Sequence, residues 1–164
     1  MILKNLENNF LRNLLIIFFI FLTDRISKIY IIHLDKLNNN SEIFLSKFLN
    51  IRLFWNEGIA FGLLSFGKEY LYNSLTIIIF IVILIIYFMA IKNKGVKKYF
   101  FLMILGGAIG NLYDRVIYKA VPDFIDFHIG NYHWFIFNIA DIFITLGVIF
   151  MIFSEFFSTT NNDE

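Results

Sequence analysis

Four aspartates, Asp24, Asp114, Asp123 and Asp141, interrupt or border strongly apolar stretches of a 164-residue chain. An ionisable side chain at membrane depth is costly and faces a partner or a water-filled cavity, so each marks a functional position by default. Two carboxylates held close cannot both ionise comfortably, so they share a proton. One then acts as general base on water while the other protonates a carbonyl oxygen. Competing chemistries lack their residues. There is no cysteine, which removes disulfides, thiolate metal sites and thiol nucleophiles together. His33, His128 and His133 have no zinc-ligand spacing. Ser27 and Lys28 are adjacent, so on a helix they do not face one another as a Ser–Lys dyad must. Spacing alone does not choose which two aspartates form the pair.

The elements that position these carboxylates follow from composition and uninterrupted length. The chain is 59% hydrophobic, 20% aromatic and 16% charged, with mean hydropathy +0.70. Ordinary soluble domains are roughly 45–50% apolar and about 25% charged. A single core of this size cannot bury that excess, so residues 1–164 are expected to form one membrane-embedded domain. A net charge of +1 gives no footprint for nucleic acid. The chain has 22 Phe but only five Ala, a bias that makes average hydropathy a poor guide. Span assignments therefore rest on length.

Residues 71–91 are 21 in a row without a charge, covering roughly 32 Å against a hydrocarbon core of about 30 Å. Four lysines follow within 92–98, which makes that short loop cytoplasmic by the positive-inside tendency. Further spans are expected at 11–32, 99–113 and 134–157. The fold class is thus an α-helical integral membrane protein of four transmembrane helices, with both termini cytoplasmic. Residues 31–70 and 116–133 fall outside. The first segment is expected to be retained, because Thr23-Asp24-Arg25 follows its apolar core where a cleaved signal peptide has a small-x-small site. Within the long outer loop, Asn38-Asn39-Asn40 predicts a turn. Residues 43–55 mix apolar and β-favouring types in partial alternation, which predicts a small extracytoplasmic sheet. The polar tail at 158–164 is expected to fray.

Polar residues concentrate in Asp24-Arg25-Ile26-Ser27-Lys28, Asn56-Glu57-Gly58-Ile59-Ala60-Phe61-Gly62, the run from Gly106 through Asn111, Asp114 and Arg115, Val121-Pro122-Asp123-Phe124-Ile125, and Asn138-Ile139-Ala140-Asp141. In this topology all five lie near the outer boundary. Gly106 and Gly110 are one helical turn apart, a spacing that lets a neighbouring backbone approach closely. Asn111, Asp114 and Arg115 can project to one face, with Asp114 and Arg115 equally suited to an ion pair or to direct chemistry. Asn138 and Asp141 have the spacing of a helix start, Asn138 as N-cap and Asp141 in the first turn. That cap is compatible with a reactive Asp141.

In order and spacing these clusters resemble the bacterial lipoprotein signal peptidases, also called signal peptidase II, from Asp24 to Asp141. The specific signatures are Gly-Gly-Ala-x-Gly-Asn-x-x-Asp-Arg, ending at Arg115, and Asn-x-Ala-Asp, ending at Asp141. The resemblance implies a membrane aspartic endopeptidase of the bacterial inner membrane. Such an enzyme cuts the signal peptide from a prolipoprotein just before a diacylglyceryl-modified cysteine. It further implies a catalytic pair at Asp123 and Asp141. Asp24, Asn56, Asn111, Asp114, Arg115 and Asn138 then support the site or contact substrate. No metal or cofactor is implied, and the expected partners are the lipid-modified prolipoprotein and membrane lipids, with the enzyme a monomer. Glu57, Ile59, Pro122 and Phe135 depart from the family's usual residues, which bears on substrate preference and on the placement of Asp123, since Pro122 fixes its own φ and lacks an N–H. A small transporter or channel subunit, or a non-catalytic membrane assembly protein, is the alternative class. Neither accounts for all five clusters converging on one boundary.

Overall fold

Uncharged length decides the helices. The run at 71–91 becomes the body of α2 (Lys68–Lys92), and α3 (Val96–Tyr118) starts after the lysine-rich turn. Gly95 makes that reversal at φ 64, a left-handed conformation that favours glycine. α1 (Ile2–Leu37) continues unbroken through Asp24, Arg25 and Lys28, and α4 spans Ile139–Thr160. The computed structural model describes residues 2–38, 43–58, 68–130 and 132–160, with side chains for 9–38, 43–58, 69–130 and 132–157. Asn39, Asn40, the Ile59-Ala60-Phe61-Gly62 half of the second cluster and tail residues 161–164 lie outside the described residues.

Among the described residues, α2, α3 and α4 are each long and apolar enough to cross a membrane. α3 is central and packs against all three other helices. Its Phe101, Leu102 and Leu105 form the core with Ile83 and Ala90 of α2. Close approach depends on its glycines. A Cβ at Gly106 meets Ile20 of α1 at 2.8 Å, and one at Gly107 meets the Ala140 carbonyl oxygen of α4 at 2.5 Å. The outward faces of α2 and α4 stay apolar and exposed, through Ile78, Ile81 and Phe88 and through Ile149 and Phe153, a surface suited to lipid.

At one end of the helices lies a four-stranded antiparallel sheet in the order β1-β2-β3-β4. The expected small sheet is there as the antiparallel pair β1 (Ile43–Ser46) and β2 (Leu49–Asn56). It is only half of the sheet. β3 (Val121–Ile129) and β4 (Tyr132–Phe137) supply the rest. Residues 134–137, assigned above to the start of a membrane span, are therefore strand, and that helix begins at Ile139. The aromatic and β-branched residues of Tyr132–Phe137 fit a pleated surface as well as an apolar span. The other helices overrun their expected bounds. α3 continues to Tyr118, where Lys119 at φ 58 closes it and turns the chain into β3. Pro122 sits one residue into β3, opposite Trp55, where the strand accommodates it beside Asp123.

Candidate active site

Two junctions bring the carboxylates together. In β3, Asp123 lies opposite Phe54, one pair along from Trp55 and Pro122 and two from Asn56 and Val121. The period-two alternation of strands puts Asn56 and Asp123 diagonally on one face of the sheet. Asn56 Nδ2 donates to Asp123 Oδ2 at 2.9 Å, and Asn56 Oδ1 accepts the Gly58 N–H at 2.8 Å. The same alternation turns Asp126 to the opposite face, where its Oδ2 meets His133 Nδ1 at 2.7 Å.

The second junction is where β4 ends and α4 begins. Asn138 caps the helix as its spacing predicts. Its Oδ1 accepts the Asp141 N–H at 3.1 Å, while Asp141 Oδ2 accepts the Asn138 N–H at 3.1 Å. This is a reciprocal capping box, with aspartate in the place more often held by glutamate. The remaining amide hydrogens of Asn138 point at the sheet, where Nδ2 donates to Asp123 Oδ1 at 2.5 Å. One fully buried asparagine thus holds both carboxylates. Asn111 Nδ2 donates to Asp141 Oδ1 at 2.8 Å. Each aspartate therefore accepts one hydrogen bond on each oxygen, two of the four coming from Asn138.

Behind the pair lies a buried ionic network that fixes Asn111. Lys28 has no solvent exposure, and its Nζ donates to Asp24 (3.0 Å), Asp114 (2.7 Å) and Asn111 Oδ1 (2.8 Å). All three ammonium protons are used, which turns the Asn111 amide so that its N–H faces Asp141. Arg25 forks onto Asp114 at 2.5 and 2.6 Å and reaches Asp24 at 3.0 Å. Asp24 Oδ1 accepts the Ala140 N–H at 3.0 Å, tying α1 to the first turn of α4. That carboxylate fits because residue 110 is glycine. A Cβ there would lie 2.6 Å from Asp24 Oδ2.

The expected face shared by Asn111, Asp114 and Arg115 is realised only for the first two. Asp114 pairs with Arg25 and Lys28, not with Arg115. Arg115 instead stacks over the Tyr72 ring, 5.9 Å from its centroid, beside Gly58, where a Cβ would lie 2.7 Å from its Nη1. That Nη1 is buried with no hydrogen-bond partner among the described residues. Lys28 and Arg25 were not among the site residues expected from the sequence. The available clue was the i,i+4 spacing of Asp24 and Lys28 inside an apolar helix, where a cation has to find buried partners.

Burial dominates the electrostatics of Asp123, which is 3% exposed. Desolvation pushes its carboxyl up to about 6, against the opposing pull of the Asn56 and Asn138 donors. Nearby negative charge on Asp141 pushes the same way as burial. Such a group carries a proton through mildly acidic pH and loses it near neutrality. Among the described residues, no three His, Cys, Asp or Glu side chains are arranged to hold a metal ion.

The sequence profile of the family described as signal peptidase (SPase) II matches residues 16–157. The chain is 51% identical over 153 residues to a lipoprotein signal peptidase of Pelagibacter ubique (strain HTCC1062), covering 93% of this chain and 92% of that one. It is 40% identical over 118 residues to a lipoprotein signal peptidase of Francisella tularensis subsp. novicida (strain U112), covering 70% and 73%. In three dimensions it resembles a solved structure described as a bacterial membrane enzyme determined in meso at 2.3 Å. The TM-score is 0.69 at 35% identity, covering 92% of this chain and 90% of that one. Matched by the profile almost from end to end and sharing half its residues with one such peptidase, the chain belongs to the signal peptidase II family.

Proposed function

We propose that this peptidase is an aspartic endopeptidase that uses Asp123 and Asp141 as a pair sharing one proton. It removes the signal peptide from prolipoproteins, cleaving before the lipidated cysteine. The observation that carries the reading is Asn138, whose side chain and backbone bond to both carboxylates at once. In substrate-free enzyme the shared proton resides on Asp123, which at 3% exposure is the less accessible of the two carboxyls. Asp141, at the N-terminus of α4 with Asn111 and Asn138 donating to it, is the general base. It takes a proton from a water lying between the two side chains. As that water attacks, Asp123 protonates the scissile carbonyl oxygen, and the resulting tetrahedral intermediate collapses with proton transfer to the departing amine. Arg115, stacked on Tyr72 beside Gly58, brings a cation to this side of the site, where it can help hold the substrate backbone. Asn56 sits on the same side, where it can share in holding the peptide.

On this reading α1 is the fourth membrane-crossing helix. The Lys92–Lys98 end of the bundle is cytoplasmic and the sheet lies at the outer surface of the inner membrane, so substrate reaches the pair sideways from lipid. Residues 1–164 act as one membrane-embedded domain, and the enzyme works as a monomer. Purified wild type, Asp123→Asn and Asp141→Asn are incubated with a diacylglyceryl-modified precursor peptide and followed by mass. Each substitution is expected to reduce turnover at least about a thousandfold, as loss of a group acting in both proton transfers should. A folded variant cleaving at the wild-type rate overturns the pairing.

A further inference from the structure

A second concave site lies at the other end of the helices, where the catalytic reading has no use for it. Asn13 precedes Asp24 by eleven residues on α1, which at 1.5 Å per residue puts the two levels about 16 Å apart. Between α1, the end of α2 and the start of α3 is a cavity of about 650 Å³, a volume typical of small-molecule sites. Buried Ala90 and Leu102 line it together with Ile17, and exposed Arg12 and Lys94 with half-buried Lys98 supply its cations. Among the described residues no acidic side chain lines it. Among the described residues none of these three cations is in an ion pair, whereas neighbouring Lys97 is bound to Glu155 at 2.6 Å.

The polar detail points to an anion. Arg12 lies over the Tyr99 ring, 5.8 Å from its centroid, and donates to Asn9 Oδ1 at 2.8 Å, which holds the guanidinium at the rim. Asn9 and Asn13 of α1 and Asn93 of the α2–α3 turn add neutral polar groups to the lining. An occupant must therefore bring negative charge and an apolar portion, and reach the cavity at the end of membrane-crossing helices. Basic pockets between such helices recruit anionic headgroups. We propose that this cavity is a binding site for an anionic glycerophospholipid, with its phosphate held by Arg12 and Lys98 and the start of an acyl chain over Ile17 and Leu102. Bound there, the lipid bridges α1 to the α2–α3 turn.

The test uses the full chain in mild detergent, titrated with phosphatidylglycerol or phosphatidylcholine of identical acyl chains, with bound lipid counted by native mass spectrometry. Phosphatidylglycerol is expected to bind at least about tenfold more tightly, given the attraction each nearby Lys or Arg exerts on an anionic headgroup. The Arg12→Gln/Lys98→Gln variant should lose that preference. Lys47→Gln, a basic residue on the β1–β2 turn at the other end of the molecule, should keep it. Glycerol phosphate without acyl chains should fail to displace the lipid, which separates a lipid site from a plain phosphate site. Equal binding of the two lipids, unchanged preference in the double variant, equal loss in Lys47→Gln, or displacement by glycerol phosphate each overturns the proposal.

Discussion

Replacing Asn138 by serine separates its two duties. Serine caps a helix about as well as asparagine, so its Oγ can still accept the Asp141 N–H and α4 should start at the same residue. It is too short to reach Asp123, whose Oδ1 then loses a donor now at 2.5 Å. A hydrogen bond to a charged group contributes about 1.5–3 kcal/mol. Its loss penalises the ionised form alone, which corresponds to roughly one to two pH units. The alkaline limb of kcat/KM reports the free enzyme's acid, and for the wild type it should fall near the pH of about 6 to which burial pushes Asp123. In Asn138→Ser it should move to about pH 7–8. Cleavage of a lipidated precursor, measured from pH 5 to 9 together with a melting curve, reads both effects. A limb that stays put while the melting temperature is unchanged would falsify the assignment of the shared proton to Asp123.

The remaining predictions concern stability and packing. Asp123 binds its proton more tightly in the native state, at about 6 against 3.8, so native wild type carries a rising penalty as pH climbs from about 4 through 6. Asp123→Asn carries none. Its stability relative to wild type should improve by about 2–3 kcal/mol between pH 4 and pH 8, and an equal difference at both pH values in detergent melts refutes this. Lys28→Met removes the ammonium from two buried carboxylates and unlocks Asn111. It should cost about 3–5 kcal/mol and lower turnover as well, and a stable, fully active variant contradicts the network's role. Gly107→Ala drives a methyl into the Ala140 carbonyl at the start of α4. A cost of about 1–3 kcal/mol with reduced turnover is expected, while neutral behaviour on melting and cleavage argues against tight α3–α4 contact at that level.

Much of the site was legible because its chemistry cannot be disguised. A carboxylate inside an apolar run stands out, and the Asn138–Asp141 spacing declared the cap that the structure contains. α2 was legible for a different reason, since 21 uncharged residues permit little else. The second half of the sheet was not. In a chain so rich in Phe and Ile, Val121–Ile129 and Tyr132–Phe137 look like loop and span. The overlooked mark was Gly130, at φ 58, opening the tight turn across which Ile129 pairs with Tyr132. Partner choice was also beyond spacing. Adjacency in the sequence offered Arg115 as a partner for Asp114, but only the packing of α1 on α3 brings Arg25 and Lys28 to claim it. Glu57 has no partner among the described residues that explains its presence.

Asp123 belongs to a strand and Asp141 to a helix, and a single residue is the hinge-pin between them. Each carboxylate alone is an ordinary acid at the edge of its own element. On the proposed pairing, the two meet only where the sheet docks on the helices, so a chain whose sheet has not docked holds no working protease. Competence to cut, so read, belongs to neither layer alone but to the seam between them.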